Sequence, residues 1–571
     1  MPIVARGSPR RLARAGTLVA AAILAASACS PSPSSSPGPA ASAAASAVTT
    51  QAAAQTAPAC VATLTPAAPP AQVFYEVFVR SFADSNGDGI GDFAGVTAHL
   101  DYLSSLGIKG IWLMPVAKSP SYHGYDVTDY TAVEPDYGDA ASFKALVAAA
   151  HARSISVIVD FEANHTSSDN PWFKDALAGG PHHDWYIWSK DDPGWPNPIG
   201  GGDPWHPSPA GFYYGLFSDE MPDLNLRNPA VTAELDRVAR FWLDTMGVDG
   251  FRIDAARHLI EDGPKTQVNT PETRAWLAAF RDVVHQDRPD ALVVGEVNDA
   301  ERTSGSYTTD GSLDMSFDFE IGPAISNAVS HGDAESLLTS ETSIGTVYPD
   351  GGAGTFLSNH DQPRVLTQLR GDTGAAAQSA ATLLTAPGTP FIYYGEELGM
   401  TGDKPDEQIR TPFPWTAAAP GFGFTKAAPP WEPFADGAAT ANVATEAGDP
   451  ASLLSTYRAL IDLRNANPAL ASSAFVAVDA SDPHVATSLR VGGGERLLVI
   501  QNLATDAAPG VALTLRSGPL CGPLHAAIVY PEADAATPVA DPSVTATGGL
   551  AGYVPLPTIP GRGTVVISLS P

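Results

Sequence analysis

The stretch that decides the fold is residues 247–258, which read GVDGFRIDAARH. It opens with apolar and β-branched residues, as a buried strand does, and helix-favouring residues follow Asp254 at once. Arg252 and Asp254 lie two positions apart, so on a strand their side chains project to the same side. In a barrel of alternating strands and helices, charged residues at the carboxyl end of a strand are typical of catalysis. A structural ion pair is the alternative that this stretch leaves open.

The same alternation of strand and helix continues on both sides of this stretch. Including residues 248–254, the predicted strands are 73–79, 108–114, 155–161, 248–254, 292–295, 313–317, 354–358 and 391–394. The predicted helices include 96–106, 143–153, 233–245 and 451–465. Eight apolar strands separated by helices predict an α/β fold, a closed parallel (β/α)8 TIM barrel.

Length and composition predict further units beside the barrel. The chain has 571 residues, which is more than a single core normally holds. Residues 162–228 have few periodic segments and contain five of the ten Trp residues, so we predict an inserted subdomain after the third strand. Residues 471–571 have short alternating strands and turn residues, which predict a C-terminal antiparallel β-sandwich. The barrel would then occupy residues 71–161 and 229–470.

The N-terminus has the features of a bacterial export signal. Arginines precede a short apolar segment, and Ala26-Ser27-Ala28-Cys29 resembles a lipoprotein cleavage box. We therefore expect residues 1–28 to be removed and Cys29 to carry a lipid that anchors the exported protein at the cell surface. A plain secretory signal is the alternative. Residues 29–70 are rich in Ala, Ser and Pro, which predicts a disordered stalk.

Charge and cysteine content limit the partners of the exported chain. The formal net charge is −30, and such a surface repels phosphate backbones, so nucleic acid is excluded as an expected partner. We expect a monomer that contacts a membrane only through the lipid on Cys29. In an oxidising compartment the other two cysteines, Cys60 and Cys521, are able to form a disulfide, although sequence does not fix the distance between them.

Three acids stand at the ends of three predicted strands. They are Asp254, Glu296 in VVGEV and Asp361 in FLSNHDQPR. Glycoside hydrolysis needs two carboxyl groups beside the bond, one protonated and one ionised. Arg252 favours the ionised form of Asp254. The neighbours of Glu296 in sequence are apolar, which favours the protonated form that a general acid requires.

Four motifs in this order resemble the signature regions of the α-amylase family of glycoside hydrolases. They are DFEANH (160–165), GFRIDAARH, GEV and FLSNHDQPR. MPDLN (221–225) resembles the fifth region of the family, in a form between the oligo-1,6-glucosidase and neopullulanase patterns. HGYDVTDY (123–130) and FIYYGEELGM (391–400) also resemble family segments. The resemblance extends from about residue 72 to the end of the chain.

This resemblance implies a role for each motif residue in a retaining mechanism. Asp254 would be the nucleophile, Glu296 the acid/base and Asp361 the stabiliser of the transition state. The residues expected to bind the sugar or to position the nucleophile are Tyr125, Asp126, His165, Arg252, His258 and His360. Glu162 departs from the pattern, because family members usually carry an apolar residue there, and its role stays open.

Residues 84–92, DSNGDGIGD, place oxygen ligands at alternate positions, as the first part of an EF-hand loop does. The predicted Ca²⁺ ligands are Asp84, Asn86, Asp88, the backbone carbonyl of Ile90, and Asp92. The closing position of an EF-hand is Gly95 here instead of Glu, so the loop is incomplete. The resemblance implies a structural calcium, and a metal-free turn is the alternative.

Taken together, these features predict an extracellular, lipid-anchored α-amylase that cleaves internal α-1,4 bonds of starch-like glucans. The Trp- and Tyr-rich insertion suits sugar stacking along an open cleft. One alternative is an exo-acting α-glucosidase or oligo-1,6-glucosidase, because QIRTPFPW (408–415) resembles a segment found in such enzymes. A second is transglycosylation or isomerisation to trehalose. A third is an inactive glucan-binding relative, against which the presence of all three carboxylates argues.

Overall fold

The structure is a computed structural model that describes residues 73–426 and 429–571. The predicted signal segment (1–28), the stalk (29–70), Cys29 and Cys60 lie outside these ranges. The lipid anchor and the Cys60–Cys521 disulfide therefore stay predictions. Within the described ranges, no helix combines the length and the apolar character needed to cross a bilayer.

Eight parallel strands close into a barrel, as the alternation of strand and helix predicts. They are β1 (Phe74–Val77), β2 (Gly110–Leu113), β3 (Ser156–Phe161), β4 (Gly250–Ile253), β5 (Leu292–Gly295), β6 (Met315–Asp318), β7 (Ala353–Thr355) and β8 (Thr389–Tyr393). Each strand pairs with its neighbours in chain order, and β8 closes the ring on β1, where Phe391 lies opposite Phe74. The TIM-barrel prediction is confirmed, and the carboxyl ends of all eight strands meet at one face.

The helices connect these strands. In the described residues they are α1 (Val79–Phe82), α2 (Phe93–Ala98), α3 (Leu100–Ser105), α4 (Ala140–His151), α5 (Pro171–Leu177), α6 (Pro229–Arg240), α7 (Pro271–Asp287), α8 (Glu301–Thr309), α9 (Ile321–His331), α10 (Ala334–Val347), α11 (Val365–Gln368), α12 (Thr373–Thr385), α13 (Asp406–Ile409), α14 (Val443–Glu446) and α15 (Leu453–Ala466). The predicted helix 96–106 is wrong in one respect, because α2 and α3 meet at the non-helical His99. The His99 ring stacks on Trp415 at 3.8 Å, a tertiary contact that the helical pattern does not reveal.

Bulky apolar side chains fill the inside of the barrel. The interior cluster consists of Phe74, Trp112, Ile158, Val294, Met315, Phe317, Phe356 and Phe391. Gly110 is required beside it, because a Cβ atom at this position would lie 2.3 Å from the Phe74 ring. The packed interior leaves no room for charged groups except at the carboxyl ends of the strands, where the site lies.

Two small antiparallel units follow β2 and β3 and overhang that face. A hairpin, here called the 117–133 hairpin, pairs Ala117–Lys118 with Asp129–Val133. After β3, the insertion contains α5 and a three-stranded sheet whose central strand, Gly211–Tyr214, pairs with Trp188–Ser189 and Trp205–Ser208. The predicted insertion after the third strand therefore has secondary structure of its own.

The C-terminal region is antiparallel, as predicted. Its main sheet has five strands, in the spatial order Phe475–Ala477, Val485–Gly492, Glu495–Asn502, Thr564–Ser570 and His525–Tyr530. A second sheet contains Asp479–Ala480, Leu513–Leu515 and Leu550–Tyr553, and two further strands pair Ala508–Pro509 with Thr558–Ile559. Residues of both larger sheets share one apolar core, which makes the region a sandwich.

Candidate active site

One guanidinium group, that of Arg252, joins three acids at the top of the barrel. Its Nη1 donates to Oδ1 of Asp160 and to Oδ1 of Asp254, at 2.6 Å each. Its Nη2 donates to Oε2 of Glu296 at 2.7 Å. Arg252 is 1% exposed, so these charge-assisted bonds form out of water and hold the acids in fixed positions.

The surroundings of Glu296 differ from those that its sequence neighbours suggest. Instead of apolar groups alone, its carboxyl group meets Arg252 and accepts a hydrogen bond from the backbone N–H of Ala255 at 3.2 Å. Burial nevertheless raises the pKa of Glu296, Arg252 opposes that rise, and the negative charges of Asp254 and Asp361 add to it. The protonated form of Glu296 is thus favoured by burial and by the two neighbouring negative charges, and not by an apolar pocket.

Asp361 belongs to a second charged group on the opposite side of the opening. Its Oδ1 accepts from Nη2 of Arg410 at 2.9 Å, and its Oδ2 lies 3.1 Å from Nε2 of His360. Burial raises the pKa of Asp361, but His360 and Arg410 outweigh burial, and the pKa lies well below its usual range. The ionised form of Asp361 is therefore strongly favoured.

His360 is held as a cation beneath this anion. Its Nδ1 lies 2.6 Å from Oε1 of Glu76, a buried acid on β1. Burial lowers the pKa of His360, but Asp361 and Glu76 outweigh burial and raise the pKa to about 10. Its Nε2 also lies 2.7 Å from the hydroxyl of Tyr125. The imidazolium thus holds Glu76 at Nδ1, and it holds Tyr125 and Asp361 at Nε2.

Asp160 and Trp112 form the floor below Arg252. Oδ2 of Asp160 accepts from the indole N–H of Trp112 at 2.9 Å. The same indole ring lies 5.1 Å from the Arg252 guanidinium, within the range of a cation–π contact. Burial raises the pKa of Asp160 to about 7, although Arg252 opposes the shift. The floor positions the guanidinium and does not itself face the opening.

Above this floor lies a cleft with a volume of about 520 Å³. All three predicted catalytic acids line it, together with the predicted sugar-binding residues Tyr125, His165 and His258. Burial lowers the pKa of His165 to about 4 and that of His258 to about 3, the latter with help from Arg257. Among the described residues, Nε2 of His165 and Nδ1 of His258 have no hydrogen-bond partner. Both rings are therefore neutral and can bond a ligand hydroxyl.

The other three predicted sugar-binding residues lie behind the cleft wall. Arg252 and His360 are each 1% exposed and bond the acids from below. Asp126 accepts from Oγ of Ser119 at 2.6 Å and lies 3.9 Å from Nδ1 of His123, which does line the cleft. In this structure they support the groups that face the opening, and direct sugar contact by Asp126 and His360 stays a prediction.

The comparisons with known proteins agree with this geometry. The model of the alpha amylase catalytic domain matches residues 76–473. The chain belongs to the α-amylase family of glycoside hydrolases. It is 39% identical to "Alpha-amylase 3" of Dictyoglomus thermophilum, over 72% of this chain and 80% of that protein.

Other family members share similar lengths of chain. The oligo-1,6-glucosidase of Parageobacillus thermoglucosidasius is 32% identical, over 72% of this chain and 86% of that protein. The crystal structure of the alpha-amylase from H.orenii superposes with a TM-score of 0.75 at 36% identity, over 87% of this chain and 99% of that one. The family membership is thus shown across the barrel and the C-terminal sheets, and the chain has the family's glycosidase architecture.

In this family member the insertion does not line the cleft with tryptophan, which corrects the expected stacking surface. The insertion residues at the opening are Pro198, Ile199, Phe217 and Met221. Ile199 is 47% exposed and Phe217 is 40% exposed, whereas Trp205 is buried within the insertion's own small core. Trp195 packs against the same small core. The other three tryptophans, Trp172, Trp185 and Trp188, are partly buried against the main core of the barrel.

Several residues of the site carry no signal strong enough for sequence reasoning to assign them. Asp406 begins the short helix α13 after β8 and Arg410 ends it, and Arg410 reaches Asp361 across 49 residues of chain. Glu76 reaches His360 across 284 residues. One sequence signal could have identified Glu76 and Asp160: each is an acid within an otherwise mostly apolar strand.

Glu162, the departure from the family pattern, is a buried acid without a cationic partner. It is 2% exposed, and its Oε1 has no hydrogen-bond partner in the part of the chain that the structure describes. Burial raises the pKa of Glu162 well above its usual value, and the nearby Asp160 and Asp254 add to the rise. The neutral form of Glu162 is therefore favoured, and in that form it adds no negative charge beside Asp254.

The predicted calcium loop lies between α1 and α2. Asp84 accepts the backbone N–H groups of Gly87 and Gly89, at 2.6 and 2.9 Å. Asp92 accepts from Ser85 and caps α2 through Gly95. In the described residues no three His, Cys, Asp or Glu side chains gather as a metal site requires. The donor set itself, three carboxylates, an amide and a backbone carbonyl, is all oxygen and fits the preference of Ca²⁺.

Proposed function

We propose that this chain is a retaining α-amylase that hydrolyses internal α-1,4 bonds of starch-like glucans. The observation that carries the proposal is the shared guanidinium, which bonds Asp254 and Glu296 through its two terminal nitrogens. In retaining glycosidases the two carboxyl groups stand about 5 Å apart, and in inverting enzymes about 6.5–9.5 Å apart, to admit a water. Two acids held by one guanidinium fit the closer arrangement.

In the proposed reaction each of the three acids has one role. Glu296 donates its proton to the glycosidic oxygen while Asp254 attacks the anomeric carbon, so the glycosidic bond breaks as an enzyme ester forms. Glu296, now an anion, takes a proton from a water molecule as the water oxygen attacks the anomeric carbon, so the bond from that carbon to Asp254 breaks and the sugar leaves with a new hydroxyl group. The anion Asp361 stabilises the positive charge that develops on the sugar ring in both steps.

The shape of the cleft supports a glucan as the substrate. Ile199 and Phe217 are exposed apolar side chains on one wall, and exposed apolar area at a cavity rim is typical of ligand contact. The neutral rings of His165 and His258 provide polar contacts to hydroxyl groups. The relative of highest identity among those named above is called an alpha-amylase. This similarity supports our choice of α-1,4 bonds in starch over other α-glucosidic bonds.

The product profile tests the proposal. Soluble starch should lose its iodine colour rapidly while reducing ends appear slowly, because internal cleavage shortens chains before it releases small sugars. Maltotriose should be cut without formation of trehalose. Glucose released from isomaltosides with no attack on starch would instead show an oligo-1,6-glucosidase, and trehalose from maltose would show a transferase.

We also propose that the 84–92 loop binds one structural calcium. Asp84, Asn86, Asp88, Asp92 and the Ile90 carbonyl would hold it, and the ion would cross-link the loop. The loop contacts the segment after β8 through backbone bonds, one from Asp84 to Phe424 and one from Trp431 to Gly89. A bound ion would therefore stabilise the packing of that segment, and no step of the reaction passes through it.

Export and anchoring at Cys29 complete the proposal. Starch is too large to enter a cell, so an enzyme that attacks it has to act outside. Replacement of Cys29 by Ala should move the enzyme from the membrane fraction to the medium and abolish labelling by a fatty acid. Equal distribution of the parent and the variant between the two fractions would contradict the anchor and leave the plain secretory signal.

A further inference from the structure

A second groove, of about 630 Å³, lies outside the cleft. We call it the Trp172 groove. Its lining includes Lys118 and Asp129 of the 117–133 hairpin, Trp172 and Lys174 of α5, and Glu234 and Arg237 of α6. Its volume exceeds that of the catalytic cleft and falls within the range of ligand sites, about 300–1,000 Å³.

The floor of the groove is a fixed aromatic platform. The half-buried Trp172 ring stacks on Tyr130 at 5.4 Å with an angle of 19° between the planes, and its edge meets Trp185 at 5.0 Å. The Tyr130 hydroxyl in turn donates to the backbone carbonyls of Glu162 and His165, at 2.9 and 2.8 Å. A ring held in this way loses little freedom when a ligand stacks on it, which favours binding.

The charges around the groove cancel. Lys174 pairs with Asp169 at 2.8 Å, and Arg237 holds Glu234 through two bonds of 2.6 and 2.9 Å. The remaining two charges of the lining, Lys118 and Asp129, are opposite in sign. On a chain with a net charge of −30 this local neutrality selects against anions and cations alike. A neutral ligand with many hydroxyl groups is the class that fits a flat ring surrounded by paired donors and acceptors.

The groove and the cleft share one wall. In the segment between Lys118 and Thr131, His123 and Tyr125 line the cleft, whereas Thr128 and Tyr130 line the groove. Ser119 of the groove donates to Asp126, which lies behind His123. A polymer held in the groove is therefore kept close to the catalytic opening.

We propose that the Trp172 groove is a second binding site for α-glucan chains, which holds long substrates beside the cleft. The choice of glucan rests on the proposed function. Binding at two places on one polymer raises its effective concentration at the cleft, so the benefit falls on long chains and not on short ones.

The test compares long and short substrates in full-length variants. Trp172→Ala should lower kcat/KM for soluble starch about fivefold, since the second site contributes avidity. It should leave kcat/KM for maltotriose unchanged, because a trisaccharide occupies the cleft alone. Arg237→Ala, at an exposed position that does not support the core, should likewise lower kcat/KM for starch relative to kcat/KM for maltotriose. Trp188→Ala is the matched control, because Trp188 is half-buried in the same insertion and lines neither cavity.

Amylose binding to the Asp254→Asn protein gives a readout that does not need turnover. Adding Trp172→Ala to the Asp254→Asn protein should weaken its affinity for amylose about tenfold, because one aromatic contact is lost. Unchanged retention, together with an unchanged starch-to-maltotriose ratio in both groove variants, would overturn the inference. If the parent cleaves neither starch nor maltotriose, the proposed function fails, and amylose retention still decides whether the groove binds glucan.

Discussion

At the scale of single residues, the site depends on how one buried cation is shared. Arg252 faces three acids, and a single positive charge cannot keep three buried carboxylates ionised. The structure resolves this conflict by protonation, because the pKa of Asp160 is raised to about 7 and that of Glu296 is raised as well. The site therefore favours the protonated form of Glu296, the acid to which we assign proton donation, and also that of Asp160 beside it.

Asp254→Asn should remove turnover and leave the fold intact. The amide cannot form the ester intermediate, so kcat on maltotriose should fall by about 10³-fold or more. Asn has nearly the same size and can still accept a bond from Arg252, so the melting temperature should change little. Asp244→Asn, at an exposed position, serves as the control and should retain normal activity. Normal turnover of Asp254→Asn would contradict the nucleophile assignment.

Glu396 should make stability depend on pH. It is buried, its Oε1 accepts from the Tyr457 hydroxyl at 2.7 Å, and its Oε2 has no hydrogen-bond partner in residues 73–426 and 429–571. Burial raises the pKa of Glu396 to about 8, so the folded state holds this proton more tightly than the unfolded state does. The resulting stability is complete below the usual Glu pKa and is lost as the pH rises through about 8.

Urea unfolding between pH 5 and pH 9 checks this expectation. The free energy of unfolding should decrease as the pH rises, with a slope of up to about 1.4 kcal/mol per pH unit from this one proton. Glu396→Gln, which cannot ionise, should make the decrease shallower by that amount. An equal slope in parent and variant would show that Glu396 has an ordinary pKa.

At the scale of elements, the chemistry depends on loops that stiff neighbours hold in place. Asp160, Arg252, Asp254 and Glu296 stand at or next to strand ends, whereas Asp361 follows the end of β7 at Thr355 by six residues, and Arg410 and the apolar rim come from segments beyond the strands. The 84–92 loop contributes from a distance, because its backbone bonds reach Phe424 and Trp431 in the segment that follows Arg410. Loosening this loop should therefore affect stability before it affects catalysis.

Removal of calcium should lower the melting temperature. At calcium 100-fold above its dissociation constant, a bound ion contributes about 2.7 kcal/mol to the stability of the folded state. EDTA should abolish this contribution and added calcium should restore it, as followed by thermal unfolding. Asp88→Ala should melt like the EDTA-treated parent and should not respond to EDTA. If EDTA leaves the melting temperature of the parent unchanged, the loop is a metal-free turn.

At the scale of the whole molecule, buried Arg490 joins the barrel to the C-terminal sheets, and buried Arg464 joins two segments of the barrel. Arg490, on Val485–Gly492, donates to the backbone carbonyls of Thr385 at the end of α12 and of Leu470 and Ser472 in the connection. From α15, Arg464 donates to the carbonyls of Leu384 and Ala386, which precede β8. Carbonyl groups that would otherwise be buried without partners are satisfied in this way.

Arg490→Met should destabilise the whole chain. The substitution keeps apolar bulk but leaves three carbonyl groups without a buried donor, at a cost of about 3 kcal/mol. A lower melting temperature with normal maltotriose activity at low temperature is the expected result. Arg516→Met, at an exposed position, should melt like the parent. Equal melting of Arg490→Met and the parent would mean that the interface does not depend on these bonds.

Sequence reasoning located the elements much better than it described their surroundings. Periodicity and strand-end acids predicted the barrel, its order and the positions of Asp254, Glu296 and Asp361, because these signals lie within a few residues of each other. The break at His99, the charged neighbours of Glu296 and the placement of the insertion's tryptophans were missed. Each of these depends on a contact between distant segments, and local pattern carries no information about such contacts.

The sequence by itself therefore determined the barrel, the family and the three carboxylates, since a strand end is specified by its own few residues. Only the tertiary structure decided the state of those carboxylates. Protonation of Glu296 and ionisation of Asp361 depend on burial and on charges from distant strands and loops. The second groove likewise exists only because the 117–133 hairpin, α5 and α6 meet in space. Electrostatics and cavities are properties of three-dimensional distance, which the order of residues along a chain does not contain.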